Sequence, residues 1–242
     1  MDRLGYTAMT AASRTLMSMQ VRANNLANSS TDGFRADMEQ ARTTSLQGVG
    51  YDTRHMTLAQ TNGVDVSAGA LVATGRELDF AIQGQGFIAL ESGDGEVYTR
   101  NGNIQIDSTL QLTINGRAVM GDGGPIVLPP FDSIHIGSDG VVSVRPRGEI
   151  EMMVVDRIRL VDIDAADLAK DDQGMLITKG GVEAEASNAV VLQSGFLESS
   201  NVSVIEELVA SMSLNRLFET QVKMMKAAED LSNAGNRMIR GS

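Results

Sequence analysis

The sequence predicts an α+β protein in which two terminal helices enclose an inserted all-β domain. Three observations predict it. Apolar residues recur alternately three and four positions apart at each end, the middle alternates apolar and polar residues in short runs, and turn residues punctuate that middle every ~8–12 positions.

At the N-terminus, Gly5, Met9, Ala12, Leu16, Met19, Ala23 and Leu26 form a heptad seam along one face of a helix. Thr, Ser, Gln and Arg occupy the other faces, and no Pro interrupts them. At the C-terminus, Ala210, Leu214, Leu217, Gln221, Met224, Ala228, Leu231, Gly235 and Met238 repeat the alternation. Ser203, with Glu206 three residues on, is the sequence of a capping box. Val209, Phe218, Val222 and Met225 widen the C-terminal stripe, so this helix has more apolar face than one neighbour covers. The small seam residues allow close approach. The two helices are expected to form a coiled-coil-like bundle that also packs against other copies.

Between the helices the texture changes twice. Residues 38–74 hold few large apolar side chains and many Thr, Gln, Gly and Ala, which reads as an extended arm. From residue 76, Leu78, Phe80 and Ile82 alternate, Gly84 and Gly86 make a turn, and Phe87, Ile88 and Leu90 continue. Asn115-Gly116 between apolar runs predicts a hairpin. The recurring strands fit a sandwich, barrel or meander. The expected segments are an N-terminal helix over 1–30, an arm over 31–75, a β domain over 76–197 and a C-terminal helix over 198–242.

Composition narrows the function. The 242 residues carry a net charge of −11, with +2 on residues 1–28 and 0 on 201–242, leaving −13 for the middle. An acidic middle repels phosphate and argues against a nucleic-acid partner. There is no Cys, hence no disulfide framework, thiolate metal site or Cys nucleophile. Neither a cleaved signal peptide nor an apolar run of membrane-spanning length is expected, so no direct membrane insertion follows.

No catalytic constellation emerges. His55 and His135 stand far apart with no metal-ligand spacing around them. "GQGF" (84–87) lacks the third Gly and the following helix of a dinucleotide fingerprint, and reads as a turn. "DIDAADLAKDD" (162–172) lacks the Gly turn and terminal Glu of a calcium loop. The expectation is a protein that is not an enzyme, with no cofactor, no metal and no small-molecule substrate.

"RANNLANSSTDGFRAD" (22–37) closes the first helix with Asn24, Asn25 and Asn28, a polar turn, Gly33 and Phe34. Asn tolerates left-handed backbone and competes for backbone hydrogen bonds, so it ends helices. Asn24 and Asn25 sit beside the last seam residues, where an amide can bridge two backbones, and Phe34 is expected to anchor the departing chain.

The stretch "ANNLANSSTDGF" (23–34) resembles the N-terminal motif of bacterial flagellar rod and hook proteins. "LDFAIQGQGFIAL" (78–90), "YTRNGNIQID" (98–107), "GPIVLP" (124–129) and "SGFLESSNVSVIEELVASMSLNRLFETQVKMM" (194–225) resemble later parts of the same family, in the same order. Within it, "MDRLGYTAM" and the length are most similar to a proximal-rod member, the alternative being a distal-rod subunit of the FlgG type. The resemblance implies an axial subunit of the flagellar rod in the basal body, crossing the periplasm. It would assemble with its own copies and with rod proteins of the FlgB, FlgC and FlgG types. The tube so formed would carry torque from motor to hook around an export channel, and the flagellar export apparatus would deliver the subunit. The helices would form the inner axial domain, with Met9, Ala12, Leu16, Met19, Ala23, Leu26, Leu214, Leu217, Met224, Ala228, Leu231 and Met238 as assembly seam. A secreted β-domain binding module is the remaining alternative, disfavoured by the scarcity of aromatics.

Overall fold

The computed structural model describes residues 2–45, 55–93, 95–171 and 173–240, and within them the side chains of 5–39, 63–93, 95–171 and 173–237. The chain divides into two compact units. The first takes Met1–Ala27, Asp37–Thr61 and Ser203–Ser242; the second takes Asn28–Ala36 and Asn62–Val202.

The first unit is built on α1 (Asp2–Ala27) and α2 (Val204–Arg240). Both are long uninterrupted runs of helix formers without Pro. α2 begins directly after Ser203, whose carbonyl accepts the first helical bond from the Glu207 N–H at 3.0 Å. Thr15 Oγ1 bonds Gln221 Oε1 and Asn25 Nδ2 bonds Glu207 Oε1, so the helices run antiparallel. Part of the segment expected as an extended arm is a two-stranded sheet, β1 (Asp37–Ser45) with β2 (His55–Val64). Residues 46–54 of the arm and the His55 side chain lie outside the described set.

The second unit carries the remaining strands. They are β3 (Leu71–Ala73), β4 (Phe80–Gln83), β5 (Phe87–Ser92), β6 (Gly95–Thr99), β7 (Gln105–Ile106) and β8 (Leu112–Ile114). Next come β9 (Arg117–Ala118), β10 (Met120–Gly121), β11 (Gly124–Pro125), β12 (Phe131–Ile136), β13 (Val141–Pro146) and β14 (Met153–Arg157). The last are β15 (Leu160–Val161), β16 (Leu168–Lys170), β17 (Leu176–Thr178), β18 (Val191–Ser194) and β19 (Phe196–Glu198). They pair as several small sheets, the largest in the order β15-β5-β6-β17-β16.

That five-stranded sheet explains why "FIAL" is apolar without a break. Successive side chains on a strand point to opposite faces. Ile88 and Leu90 enter a large core with Ile104, Leu112, Ile126 and Val142, whereas Phe87 and Ala89 enter a second core with Val64, Tyr98 and Leu168. Both faces are covered, so no polar alternation survives. The predicted hairpin joins β8 to β9, with Asn115 at φ +53° and Gly116 at φ +78°, both in the left-handed region that a two-residue type I′ turn requires.

A buried charge centre fastens the two chain ends of this unit. The Glu198 side chain is 1% exposed. Its Oε1 accepts hydrogen bonds from Arg35 Nη2 at 2.6 Å and from the Gly69 N–H at 2.8 Å; its Oε2 accepts one from Arg100 Nη1 at 3.2 Å. Arg100 also donates to the Gly84 carbonyl and lies 5.2 Å from the Phe87 ring centroid. Burial pushes the Arg100 guanidinium below its ordinary pKa, and Glu198 opposes that shift. Lys170 Nζ donates to the Arg35 carbonyl at 2.7 Å and sits 4.0 Å over the Phe34 ring. Asn201 Oδ1 accepts from the Ala36 N–H, while its Nδ2 donates to the Asp65 and Ser67 carbonyls. Gly33, at φ +69°, donates its N–H to the Glu198 carbonyl at 2.7 Å. A Cβ on Gly33 would lie 2.2 Å from the Asn101 backbone nitrogen.

Two outcomes are expected. Glu198→Gln leaves two buried guanidiniums without their carboxylate and should destabilise the β unit by about 3–5 kcal/mol in urea unfolding of the full chain; a loss under about 1 kcal/mol would refute the charge centre's role. Gly33→Ala forces a left-handed Ala into contact with backbone and should cost about 1–3 kcal/mol, read as a lowered midpoint with an unchanged denaturant slope.

Candidate assembly site

The helix pair uses a different face from the one its large apolar residues mark. On α1 the residues turned inward are Ala8, Ala12, Thr15 and Asn25, with Met19 and Arg22 half-buried between them. On α2 they are Glu207, Gln221 and Ala228, with Leu214, Phe218 and Met225 half-buried. The inward face shares Ala12, Met19, Leu214, Gln221 and Ala228 with the heptad read from the sequence. At alternate positions it is rotated by one residue, Ala8 and Thr15 replacing Met9 and Leu16, and Phe218 and Met225 replacing Leu217 and Met224.

The displaced heptad residues lie outward. Met9, Leu16, Leu217, Met224 and Leu231 are between 45% and 57% exposed. Ala23 is exposed and Leu26 half-buried; the side chain of Met238 lies outside the described set. Tyr6 and Met17 on α1, and Ile205, Leu208, Val209, Met212 and Val222 on α2, add to the exposed apolar area. Isolated apolar residues on a surface are ordinary, but rows at heptad spacing on both helices are the geometry that receives another helix.

Two polar layers mark the inward face. The single Thr15 hydroxyl proton is shared between Gln221 Oε1 and the Ala11 carbonyl, each 3.0 Å from Oγ1. Near the end of α1, Glu207 Oε1 accepts from Arg22 Nη1 at 3.0 Å and from Asn25 Nδ2 at 3.2 Å. Asn25 is fully buried. Its Oδ1 accepts from the Asp37 N–H at 2.8 Å and its Nδ2 donates to the Asp37 carbonyl at 3.1 Å, so the amide brackets the first residue of β1 as a neighbouring strand would.

The other motif residues are placed differently. Asn24 is exposed on the helix surface. Asn28 accepts the Thr31 N–H on its carbonyl at 3.1 Å and the Thr31 hydroxyl on Oδ1 at 3.3 Å, which turns the chain after α1. Gly33 is buried and Phe34 half-buried, as parts of the second unit. Arg22, Glu207, Arg35, Arg100 and Glu198 are absent from the residues singled out by sequence. A search for apolar periodicity passes over charged groups, and their pairing joins positions far apart in the chain. In the helix pair, Gln221 already stood in the heptad read from the sequence, and the one signal for Thr15 was that Ala11, Ala12 and Ser18, all small, lie three and four positions away.

Among the described residues, no group of three or more His, Asp or Glu side chains is placed to hold a metal ion. No described helix is long and apolar enough to cross a membrane. The arrangement offers surfaces for packing.

Comparison with known proteins locates this architecture. Residues 6–35 match the family described as "Flagella basal body rod protein", residues 81–144 match "Flagellar hook protein FlgE/F/G D1 domain", and residues 193–238 match "Flagellar basal body rod FlgEFG protein C-terminal". The chain is 38% identical to the flagellar basal-body rod protein FlgF of Salmonella typhimurium over 248 residues, covering 99% of both chains. It is also 38% identical to FlgF of Escherichia coli, again over 99% of both. Identity to the rod protein FlgG of Bacillus subtilis is 27%, over 93% of this chain and 95% of that protein. With the terminal helices and the β unit all matched in order, the chain belongs to the flagellar basal-body rod protein family and is FlgF-like within it.

Proposed function

We propose that this chain is a structural, non-enzymatic axial subunit of the proximal part of the flagellar rod, in the basal body where the rod crosses the periplasm. It assembles with its own copies and with rod proteins of the FlgB, FlgC and FlgG types into a helical tube. The tube carries torque from motor to hook and surrounds the export channel through which the flagellar export apparatus passes subunits.

One observation carries the reading. The apolar heptad rows of α1 and α2 remain half-exposed after the helices have paired, so the pair is a building block with seams still open. α2 has 37 residues, a rod of about 55 Å at 1.5 Å per residue. Helices of that length joined along several seams as a coiled-coil-like bundle resist bending and twisting, as a drive shaft requires. The seam consists of Met9, Leu16, Ala23 and Leu26 on α1 and Leu217, Met224, Leu231 and Met238 on α2. Ala12, Met19, Leu214 and Ala228 serve the pair itself. The full-length match to FlgF at higher identity than to FlgG supports proximal over distal placement.

Exposed and buried seam positions should separate cleanly. Leu217→Asp or Leu16→Asp alters a side chain already near solvent, so helix-pair stability should change by less than about 0.5 kcal/mol, while a carboxylate in the inter-subunit seam abolishes assembly and motility. Ala228→Asp instead buries a charge within the pair and should lower the helical content of the free chain, at a cost of several kcal/mol. Circular dichroism of the free chain and electron microscopy of basal bodies read the two effects. Wild-type rods built from Leu217→Asp protein would overturn the assignment.

A further inference from the structure

Sulfur chemistry in this chain belongs to methionine alone. The sequence has 14 Met, no Cys and no Trp, so the thioethers are its most readily oxidised side chains. Their placement on the helices is uneven. Met9 and Met17 on α1, and Met212 and Met224 on α2, are between 45% and 59% exposed. Met19 and Met225, on the inward faces, are half-buried. Met9 precedes Leu16 by one heptad, and Met224 stands midway between Leu217 and Leu231, so thioethers and isobutyl groups share the outward rows.

Leu and Met have similar volumes, and either packs well in such a row. Their chemistry differs. A thioether takes one oxygen atom from a peroxide: the sulfur lone pair forms the S–O bond, the peroxide O–O bond breaks, and the departing oxygen leaves as water. Sulfur loses the two electrons that the peroxide gains. The sulfoxide is a polar, chiral side chain where a flexible apolar one stood. On a solvated surface its oxygen is hydrated, at no cost to the helix pair. In a packed row of Leu and Met it gives up that water and meets hydrocarbon.

We propose that Met9, Met17, Met212 and Met224 are oxidation sites of the free subunit, and that their conversion to sulfoxide by peroxide withdraws the subunit from assembly. Thioether oxidation follows exposure. The rows that must stay open for assembly are therefore open to peroxide until assembly covers them, and only chemically intact subunits join. The inference rests on the reading of the chain as a self-assembling subunit and gives its helical seam a chemical control.

The test treats the free full chain with dilute hydrogen peroxide and locates each sulfoxide by peptide mass spectrometry. The four exposed positions should oxidise ahead of Met19 and Met225, with helical content by circular dichroism unchanged. Sedimentation and electron microscopy should then show the concentration needed for assembly raised about tenfold or more, and methionine sulfoxide reductases should restore it. Combined Met9→Leu, Met17→Leu, Met212→Leu and Met224→Leu leaves the other ten methionines in place; this variant should assemble before and after peroxide alike. In assembled wild-type material, Met9 and Met224 should react about tenfold more slowly than in the free chain. Normal assembly of a chain oxidised at all four positions overturns the proposal. So does a Leu variant that loses assembly on peroxide as the wild type does, or a helical content that falls with assembly. Reductase rescue needs no substitution, so its failure also overturns the proposal if the Leu variant does not fold. All these results leave the proposed function standing, whereas an untreated chain that never assembles, alone or with rod proteins, defeats both.

Discussion

The second unit depends on a single buried carboxylate. Glu198 takes Arg35 on one oxygen and Arg100 on the other, and it also accepts the N–H of Gly69. A lone charge in such a place would be untenable, and the pairing holds only because each partner is fixed by something else. Arg100 is held by the Gly84 carbonyl and the Phe87 face, the Arg35 backbone by Lys170 on its carbonyl, and Gly69 by a close approach to Ser199 that admits no side chain. A Cβ on Gly69 would come within 1.9 Å of the Ser199 carbonyl oxygen. The backbone geometry around 33–36, 69 and 198–201 is therefore one solution to one electrostatic problem. The start of the β unit and the approach to α2 are parts of the same lock.

The helix pair inverts the usual amphipathic arrangement. Its fully buried positions are small or polar, with Ala8, Ala12, Thr15, Gln221 and Ala228, while Met9, Leu16, Leu217, Met224 and Leu231 lie outward. Burying a methyl stabilises far less than burying an isobutyl group, at about 25 cal/mol per Å² of apolar surface. A row of large apolar side chains on each helix thus stays exposed after the pair has formed. Small inward residues bring the backbones close but specify little, since shifting the helices by a heptad would set similar residues together. Thr15 with Gln221, and Asn25 and Arg22 with Glu207, remove that degeneracy because each pair is satisfied in one register only.

What the sequence disclosed and what it concealed divide along physical lines. Local signals read correctly: both helices, the strand-rich middle, the Asn115-Gly116 hairpin and the turn at 84–86 all follow from periodicity or from residues with special backbone freedom. The facing of the helices was legible in part: Ala12, Met19, Leu214, Gln221 and Ala228 turn inward as the heptad has them, but at alternate positions of α1 Ala8 and Thr15 pack inside although Met9 and Leu16 outweigh them on any apolarity scale. β1 was missed because its run of Thr, Gln, Arg and Glu shows no apolar alternation. The Glu198 centre could not have been read at all. No rule of spacing connects Arg35, Arg100 and Glu198, and only the folded chain brings them together.

The distance between Arg35 and Glu198 along the chain has a kinetic side. They are 163 residues apart. Non-local contacts of that span carry a large loop-closure entropy before they contribute anything, so they form late and slowly. As the polypeptide is synthesised, Arg35 emerges early and stays hydrated, with no carboxylate to draw it into an apolar interior. The β unit cannot close its charge centre until nearly all of the chain except α2 is available. The lock of the native state is therefore also a delay, keeping the growing chain open for most of the time it is being made.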